Sequence, residues 1–457
     1  MKKIESPFFD LFHLGGERQV TGSCHLLKIR SGPSIMIDCG LSQGNDPHVR
    51  MSRMPVAPKD LDYLFLTHAH LDHAGRVPRL IEKGFSGEII CAHATRALIM
   101  PMLKDAMSIS GMNDRRMASR EAELDELSWG FEYNETFSLK KGVSFKLKNA
   151  GHILGSCFVR FEIPAEAGKT VSIVFSGDLG LKDTPLLPDP DPPDASDFLV
   201  MESTYGDRLH TSRKDRIQRL GALMEKALRD KGKIFIPAFS LGRTQELIFE
   251  MDRLFSDPDL GRAFPGLRNK RIPVFVDSPL GIGITKIYSS LKEFWDAEAK
   301  AALYSGDHPL DFKDLFAVES HSHHKRLLDI PGPAVIIAGS GMCSGGRILN
   351  HLENGLGHPA NDVFFVGYQA RHTTGRRILK NRKRRNGHVF INGARVPVRA
   401  GVYRMGAYSA HADQKGLVDW AMSMPGKPRL IKLIHGEPRA QSVLKRIFES
   451  NGYPVSD

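Results

Sequence analysis

The sequence predicts an α/β protein in which one domain is inserted into another. With 457 residues, the chain is too long for a single ordinary hydrophobic core. Short apolar runs that end in turns fill its first part and return near its end, whereas the middle alternates helices with buried strands. Such alternation is typical of a parallel α/β layer. We therefore expect a first domain at 1–207 and 395–457, interrupted by an inserted α/β domain at 208–394.

Each predicted element follows from its hydrophobic pattern. In the first domain we expect a helix at 94–110 and buried strands at 34–37, 61–66, 143–147, 171–175 and 430–434. In the inserted domain we expect helices at 217–229 and 243–255 and strands at 233–237, 274–277 and 334–338. The proline-rich segment 185–194 predicts a surface loop.

Composition limits the classes of function. An apolar content of 41% with 25% charged residues describes a soluble globular protein and excludes a disordered one. The formal net charge of +11 favours polyanionic partners. The five cysteines form no Cys-x-x-Cys pair, and no apolar run is long enough to suggest a signal peptide or a membrane span. We expect a cytoplasmic protein with reduced thiols and no membrane partner.

The segment Thr67–His73 contains three histidines and one aspartate directly after an apolar run that is predicted to be a buried strand. Neutral imidazole nitrogens and carboxylate oxygens are the ligands that zinc-type cations bind most readily. Packing so many titratable groups together costs free energy unless a cation neutralises them. The alternative is a polar loop that happens to be rich in histidine. The pattern predicts a metal site with room for more than one ion.

Four other apolar runs also end in an acidic residue or a histidine followed by a turn. These residues are Asp38, His152, Asp178 and His435. A single histidine after a strand is more often a structural side chain than a ligand. Together with the cluster that begins at His68, the four residues predict a polynuclear metal site where strand ends converge.

Further motifs accompany these ligands along the whole chain. They are Glu202–Gly206, Pro237–Glu246, Asp277–Leu280, Gly339–Met342, Ser409–Asp413 and Ile434–Glu437. With His68-x-His70-x-Asp72-His73, they make the chain resemble the β-CASP nucleases of the metallo-β-lactamase superfamily, which include the nuclease subunit of the pre-mRNA 3′-end cleavage factor and its bacterial and archaeal RNA-processing relatives. The resemblance implies a metallo-β-lactamase αββα sandwich with an inserted α/β β-CASP domain.

The resemblance also implies the metal ligands. It assigns two zinc ions, one bound by His68, His70, His152 and Asp178, the other by Asp72, His73, the bridging Asp178 and His435. Two such ions suit phosphodiester hydrolysis, because they provide hydroxide near neutral pH and offset the charge of the transition state. Asp38 matches the acid that orients ligand imidazoles without binding metal. An ordinary turn residue is the alternative for Asp38.

Three residues are predicted to be catalytic. Asp72 belongs to the metal cluster, and His411 and Glu202 match two further motifs of the family. A histidine near its ordinary pKa can protonate the departing 3′ oxygen, and a carboxylate such as Glu202 can hold that imidazole in the required tautomer. The alternative for His411 is a hydrogen bond to the substrate phosphate.

Candidate RNA contacts lie in the middle of the chain. No acidic residue occurs between Asp362 and Asp413, and that interval contains eleven Lys and Arg residues. A phosphate backbone would relieve their mutual repulsion with release of counterions, although a solvated helix face is the alternative. Glycine-rich turns before helices can bind phosphate. We therefore expect phosphate or RNA contacts at Ser240, Arg243, Gly341, Arg347, Arg376 and Arg377. In Arg371–Arg376, His372 occupies a position where relatives usually have glycine.

The leading hypothesis is a zinc-dependent ribonuclease that leaves 5′-phosphate and 3′-hydroxyl ends, acts on single-stranded RNA and forms a homo-oligomer as the family does. Both endonucleolytic and 5′-exonucleolytic action remain open. A hydrolase of small esters or thioesters is an alternative, but it would need neither the inserted domain nor the basic stretch. A non-catalytic RNA-binding scaffold is less compatible with the full ligand set. A nuclease that acts on DNA is not excluded, because Ser409–His411 does not sense a 2′-hydroxyl.

Overall fold

The computed structural model describes residues 3–43, 46–47, 51, 54–165, 168–210, 213–270, 272–367, 369–370, 372–405 and 408–456. In chain order, its strands are β1 Lys3–Glu5, β2 Phe9–Gly15, β3 Cys24–Ile29, β4 Ser34–Ile37, β5 Tyr63–Phe65, β6 Glu88–Ala92, β7 Ser128–Phe131, β8 Thr136–Ser138, β9 Ser144–Asn149, β10 Cys157–Pro164, β11 Thr170–Phe175, β12 Phe198–Glu202, β13 Lys233–Pro237, β14 Val274–Asp277, β15 Leu315–Ala317, β16 Ala334–Ala338, β17 Asp362–Phe365, β18 His388–Ile391, β19 Ala394–Pro397, β20 Gly401–Arg404, β21 Leu430–Ile434 and β22 Val455–Ser456. The α-helices are α1 Leu71–Ala74, α2 Val77–Glu82, α3 His93–Ile109, α4 Asp114–Leu127, α5 Arg213–Asp230, α6 Arg243–Ser256, α7 Pro258–Ala263, α8 Pro265–Asn269, α9 Pro279–Ser290, α10 Ala297–Tyr304, α11 His321–Asp329, α12 Ile348–Gly355, α13 Thr374–Asn381, α14 Gln414–Met422 and α15 Pro438–Ser450.

The chain divides into two compact units. The first contains residues 1–182, 187–209 and 411–457, and the second contains 183–186 and 210–410. The chain therefore returns to the first unit at residue 411, whereas the sequence predicted a return at residue 395. The physical reason is that β20 pairs in parallel with β17 in the sheet of the second unit. A strand of four residues, Gly-Val-Tyr-Arg, that lacks a buried apolar run does not reveal from its own sequence which sheet it will join.

In the first unit, the described strands form two mixed sheets of the same design. One has the order β1-β2-β3-β4-β5-β6-β7, antiparallel up to β4 and parallel afterwards. The other has the order β8-β9-β10-β11-β12-β21-β22, antiparallel up to β11 and parallel afterwards. Thus β12 lies beside β21, although the second unit separates them in sequence. Parallel neighbours bring their carboxyl ends to one edge, and that geometry positions the site.

The two sheets of the first unit share a hydrophobic core. Phe65 from one sheet contacts Phe145 and Phe161 from the other, with ring centroids 4.9 and 4.8 Å apart in edge-to-face geometry. A second cluster lies on the other side of the β8–β22 sheet, where Leu417 of α14 and Leu444 of α15 are buried. The packing is that of the predicted αββα sandwich, because each sheet buries one face on the other and the helices cover the outside.

The second unit contains a parallel sheet, as the alternation of strands and helices predicts. Its order is β15-β14-β16-β13-β17-β20, and every recorded pair is parallel. A separate antiparallel hairpin joins β18 to β19 through Asn392 and Gly393, both of which have positive φ. The predicted strands at 233–237, 274–277 and 334–338 are confirmed, and the helices predicted at 217–229 and 243–255 lie within α5 and α6. None of the described helices is long and apolar enough to cross a membrane.

Candidate metal centre

The predicted metal ligands of the first unit lie together at the carboxyl ends of strands. His68 and His70 follow β5, and α1 then contributes Asp72 and His73. The other ligands each follow or continue a strand of the second sheet of the unit, namely His152 after β9, Asp178 after β11 and His435 after β21. Because β11, β12 and β21 are parallel neighbours, residues at their ends become adjacent in space.

One group of ligand atoms consists of three imidazole nitrogens. Nε2 of His68 lies 3.1 Å from Nδ1 of His70, and Nε2 of His152 lies 3.2 Å from the same atom. A proton on one of these nitrogens could form a hydrogen bond to one neighbouring nitrogen, but it could not provide a partner for all three. A cation placed between them would accept all three lone pairs. Asp178 Oδ2 lies 3.7 Å from Nε2 of both His68 and His152, so that it can join this group.

A second group lies on the other side of Asp178. Its carboxylate is 3.3 Å from Nε2 of His73 and 2.8 Å from Nδ1 of His435. Nε2 of His435 in turn lies 3.8 Å from Oδ2 of Asp72. Asp178 is therefore the one carboxylate of this site that approaches both groups, which is the position that a bridging ligand requires.

Buried polar atoms in the site indicate that these residues fit metal ions. Nε2 of His435 is buried and has no hydrogen-bond partner among the described residues, and the contacts of His435 Nδ1 and His73 Nε2 with Asp178, at 2.8 and 3.3 Å, lack the geometry of a hydrogen bond. Such atoms normally find partners, because an unsatisfied buried group costs about 1–3 kcal/mol. Their donor chemistry, imidazole nitrogen with carboxylate oxygen, is that of zinc and similar cations.

Burial and neighbouring charges set the protonation of the ligands. Burial and the surrounding imidazoles lower the pKa of His68 and of His152, so that their nitrogens keep lone pairs for metal. Burial alone would raise the pKa of Asp178, but His435 and His73 outweigh it and hold that pKa well below its usual range. Asp178 is therefore a carboxylate at neutral pH.

Asp38 orients the ring of one predicted ligand, His73, without being a ligand itself. Its Oδ2 accepts a hydrogen bond from Nδ1 of His73 at 2.6 Å, which leaves Nε2 of that ring for metal. Both carboxylate oxygens of Asp38 also accept from the hydroxyl of Thr67, at 3.1 and 3.0 Å, and Oδ1 accepts from the Thr67 amide at 2.9 Å. The orienting role of Asp38 remains a prediction, and these contacts support it. The position of Asp38 follows from the parallel pairing of β4 with β5, which places the two strand ends side by side.

Sequence reasoning missed the groups that support Asp38. The hydroxyl of Ser23 lies 3.4 Å from Asp38 Oδ2 and 3.2 Å from Nε2 of His25. Nδ1 of His25 is in turn 3.0 Å from Nδ1 of His13, and burial lowers the pKa of His13 to about 4. Gly40 was missed as well. A Cβ there would lie 1.6 Å from the Asp72 carbonyl oxygen, so only glycine allows this approach.

His411 and Glu202 form a pair at the edge of the ligand groups. Nδ1 of His411 lies 3.1 Å from Glu202 Oε1 and 3.7 Å from Asp178 Oδ2. The Glu202 carboxylate is fully buried and accepts backbone hydrogen bonds from Leu179 at 2.8 Å and Thr204 at 3.2 Å. These backbone hydrogen bonds hold the Glu202 carboxylate in one position, and the carboxylate in turn holds the His411 imidazole in one orientation. Burial lowers the pKa of His411, but Glu202 and Asp178 outweigh it and raise the pKa to about 9.

The second unit uses two of the predicted phosphate ligands internally. Arg347 donates to Asp277 Oδ1 at 2.7 Å and to the carbonyl oxygens of Val318 and Glu319. Arg243 is buried and forms an ion pair with Glu246. A phosphate would have to compete with these carboxylates, so the structure does not support the predicted role of either arginine. Spacing along the chain could not reveal their partners.

The other predicted contacts remain accessible or adjoin the glycine-rich turn. The Ser240 and Ser278 hydroxyls lie 3.1 Å apart, and Gly341 is in the turn between β16 and α12. Arg376 and Arg377 are exposed on α13. His372 has φ of 69°, a left-handed conformation that favours glycine, so the departure from the family pattern costs backbone strain. Arg371 lies outside the described residues.

We predict that Asp178→Ala removes more bound metal than His435→Ala. Asp178 approaches both groups of ligand atoms, whereas His435 belongs to one of them. The measurement is metal per chain by atomic emission after gel filtration. Asp277→Ala is the matched control, because it removes a fully buried carboxylate from the second unit, and it should retain metal. Equal losses from the Asp178 and His435 variants would contradict the bridging position.

Comparison with known proteins agrees with this geometry. Family models match residues 18–237 (metallo-beta-lactamase superfamily), 244–378 (Beta-Casp domain) and 395–456 (Zn-dependent metallo-hydrolase RNA specificity domain). The chain is 36% identical to ribonuclease TTHA0252 of Thermus thermophilus, over 97% of this chain and 96% of that one. It is 30% identical to cleavage and polyadenylation specificity factor 73 of Drosophila melanogaster, over 97% and 62%. It is 27% identical to transcription termination factor FttA of Methanocaldococcus jannaschii, over 96% of this chain and 69% of that one. The chain belongs to the β-CASP nucleases of the metallo-β-lactamase superfamily.

Proposed function

We propose that this chain is a zinc-dependent ribonuclease that hydrolyses phosphodiester bonds of single-stranded RNA and leaves 5′-phosphate and 3′-hydroxyl ends. The observation that carries the proposal is the position of the His411–Glu202 pair beside the metal ligands, because it supplies a proton donor next to a site for cations. A scaffold that only binds RNA would need neither group. The ribonuclease named among the relatives supports RNA as the substrate.

Two zinc ions are the proposed cofactors. His68, His70 and His152 would hold one, Asp72, His73 and His435 would hold the other, and Asp178 would contact both. When bound, the cations supply an activated water near neutral pH and offset the negative charge of the phosphate. Asp38 keeps the His73 ring in one tautomer and one orientation, so the second group of ligands is ready before metal arrives.

His411 is the proposed general acid. Hydrolysis that leaves a 3′-hydroxyl must protonate the departing 3′ oxygen. The Glu202 carboxylate raises the pKa of His411 and so favours the protonated imidazole that a general acid requires. Its Nδ1–H donates to Glu202, so Nε2–H is the atom available to the leaving group. Glu202 therefore fixes both the charge and the direction of this proton donor.

The location and assembly of the protein are also proposals. Five free, buried cysteines suit a reducing compartment such as the cytoplasm. A homo-oligomer is proposed from the family. The basic exposed surface of the second unit, which includes Arg376 and Arg377, suits RNA.

Substrate class is tested by incubating the purified chain with end-labelled single-stranded RNA, single-stranded DNA and a small thioester, each with and without chelator. The proposal expects chelator-sensitive cleavage of RNA, with products that carry a 5′-phosphate. Faster cleavage of DNA than of RNA would instead make DNA the substrate. Thioester hydrolysis without RNA cleavage would favour the small-molecule hydrolases of the superfamily.

We predict that Glu202→Gln shifts the alkaline limb of the kcat profile to lower pH. The rate falls as pH rises through the pKa of His411, because the proton donor is then lost. Removing the Glu202 charge removes a cause that raises this pKa, so the limb should move down by about one to two pH units. The measurement is kcat for RNA across the neutral and alkaline range.

Glu132→Gln is the matched control, because Glu132 lies 3.4 Å from an exposed histidine, His93, and should leave the profile unchanged. His411→Ala should abolish the limb, retain bound metal and lose most turnover. An unshifted limb in Glu202→Gln would contradict the assignment of His411 as the acid.

We predict that neutralising Arg382, Lys383, Arg384 and Arg385 together weakens RNA binding and flattens its dependence on salt. These side chains are exposed, and fewer counterions are released when fewer cations meet phosphates. Turnover at saturating RNA should change little. The measurement is the slope of log affinity against log salt.

The matched control neutralises four exposed cations that already pair with carboxylates, namely Arg79, Lys140, Lys286 and Lys415. Both variants change the net charge equally, so the control separates a local RNA path from overall charge. Equal slopes for wild type and the Arg382–Arg385 variant would show that the stretch is only a solvated face.

A further inference from the structure

The β18–β19 hairpin of the second unit has two different faces. On one face Val389, Ile391 and Val396 are buried in the core of the unit. The other face presents His388, Phe390, Arg395 and Pro397, because side chains alternate along a strand. Phe390 is 57% exposed, an unusual amount for a phenylalanine in a strand. The core does not require this ring, since its neighbours already fill the buried face.

The exposed ring lies among cations. Phe390 is directly opposite Arg395 in the register of the hairpin, and Arg395 Nη2 lies 3.4 Å from Nδ1 of His388. The ring of His388 is 5.7 Å from that of Phe390. One aromatic side chain, one imidazole and one guanidinium thus share a single small surface. Planar groups of this kind stack on nucleobases.

A basic helix packs beside the hairpin. Residues Ile378 and Leu379 of α13 share the core with Val389, while Arg376 and Arg377 are exposed. Among the described residues, no carboxylate forms an ion pair with the exposed cations of this region, which are Arg376, Arg377, Lys380, Arg382, Lys383, Arg384, Arg385, Arg395 and Arg399. In the turn of the hairpin, the side chain of Asn392 donates a hydrogen bond to the Glu353 carboxylate.

We propose that the exposed face of the β18–β19 hairpin is a base-stacking subsite for single-stranded RNA, with Phe390 as the platform and Arg395 as its cationic neighbour. The inference rests on the proposed function and adds to it a contact with bases. The α13 cations bind the phosphate backbone without regard to base, whereas Phe390 needs an unpaired base to stack on. A second copy of this chain is a less suitable occupant, because the cations that surround the ring would repel their counterparts.

The test is fluorescence anisotropy with labelled single-stranded RNA and the metal-loaded full chain, in a His411→Ala background that slows cleavage. Phe390→Ala should weaken binding about 5- to 20-fold, as expected for the loss of one stacked base. Phe390→Trp should retain affinity, and Phe390→Leu should behave like the Ala variant. The salt dependence should not change, because no cation is removed. Arg395→Gln should instead reduce the slope.

An oligonucleotide that keeps the phosphate backbone but contains abasic sites isolates the stacking. It should bind wild type and Phe390→Ala equally. Tyr304→Ala is the matched control, because Tyr304 is 86% exposed and has Asp307 nearby in sequence, and it should bind both oligonucleotides like wild type. Equal affinity of Phe390→Ala and wild type for intact RNA would overturn the proposal. So would an equal loss on both oligonucleotides, or a change of oligomeric state in Phe390→Ala.

The result is separable from the proposed function. If the wild-type enzyme cleaves RNA and Phe390→Ala binds it normally, the stacking subsite fails while the ribonuclease stands. If wild type binds RNA through Phe390 but cleaves none, the ribonuclease fails while the subsite stands.

Discussion

The rest of the site depends on one buried carboxylate, Asp178, and the imidazoles around it. Removing a carboxylate from water costs several kcal/mol unless opposite charge compensates. Here the compensation comes from His435 and His73, whereas the nitrogens of the other ligand group approach one another, at 3.1 and 3.2 Å around His70. Protons alone cannot satisfy these contacts, because each neutral ring has one donor. Metal ions bound between these groups would remove the conflict, because each cation accepts lone pairs from several nitrogens at once.

Topology brings the ligands together at low cost. Parallel neighbours β11, β12 and β21 end at one edge of a sheet, so Asp178, Glu202 and His435 need no long loops. Glycine allows the closest approach, because a Cβ on Gly40 would overlap the backbone of Asp72. His435 itself has φ of 48°, a strained value for a residue with a side chain, and such strain is common at functional sites.

The sequence predicted much of this arrangement and missed the parts that depend on long-range pairing. His68 to His73 are neighbours in the chain, so their chemistry was visible, and strand ends marked the distant ligands. The support of Asp38 by Thr67 and Ser23 was not visible, because it arises from the register of three strands. The same limitation applies to β20, which joins the parallel sheet and moves the unit boundary to Ala410, and to Arg347, whose partner Asp277 is far away in sequence.

We propose that the first unit holds two metal ions that share Asp178. Anomalous X-ray diffraction on both sides of the zinc edge tests it most directly. We expect two peaks, one beside His68, His70 and His152, the other beside Asp72, His73 and His435, each within coordination distance of Asp178. A single peak, or two peaks of which only one contacts Asp178, would contradict it.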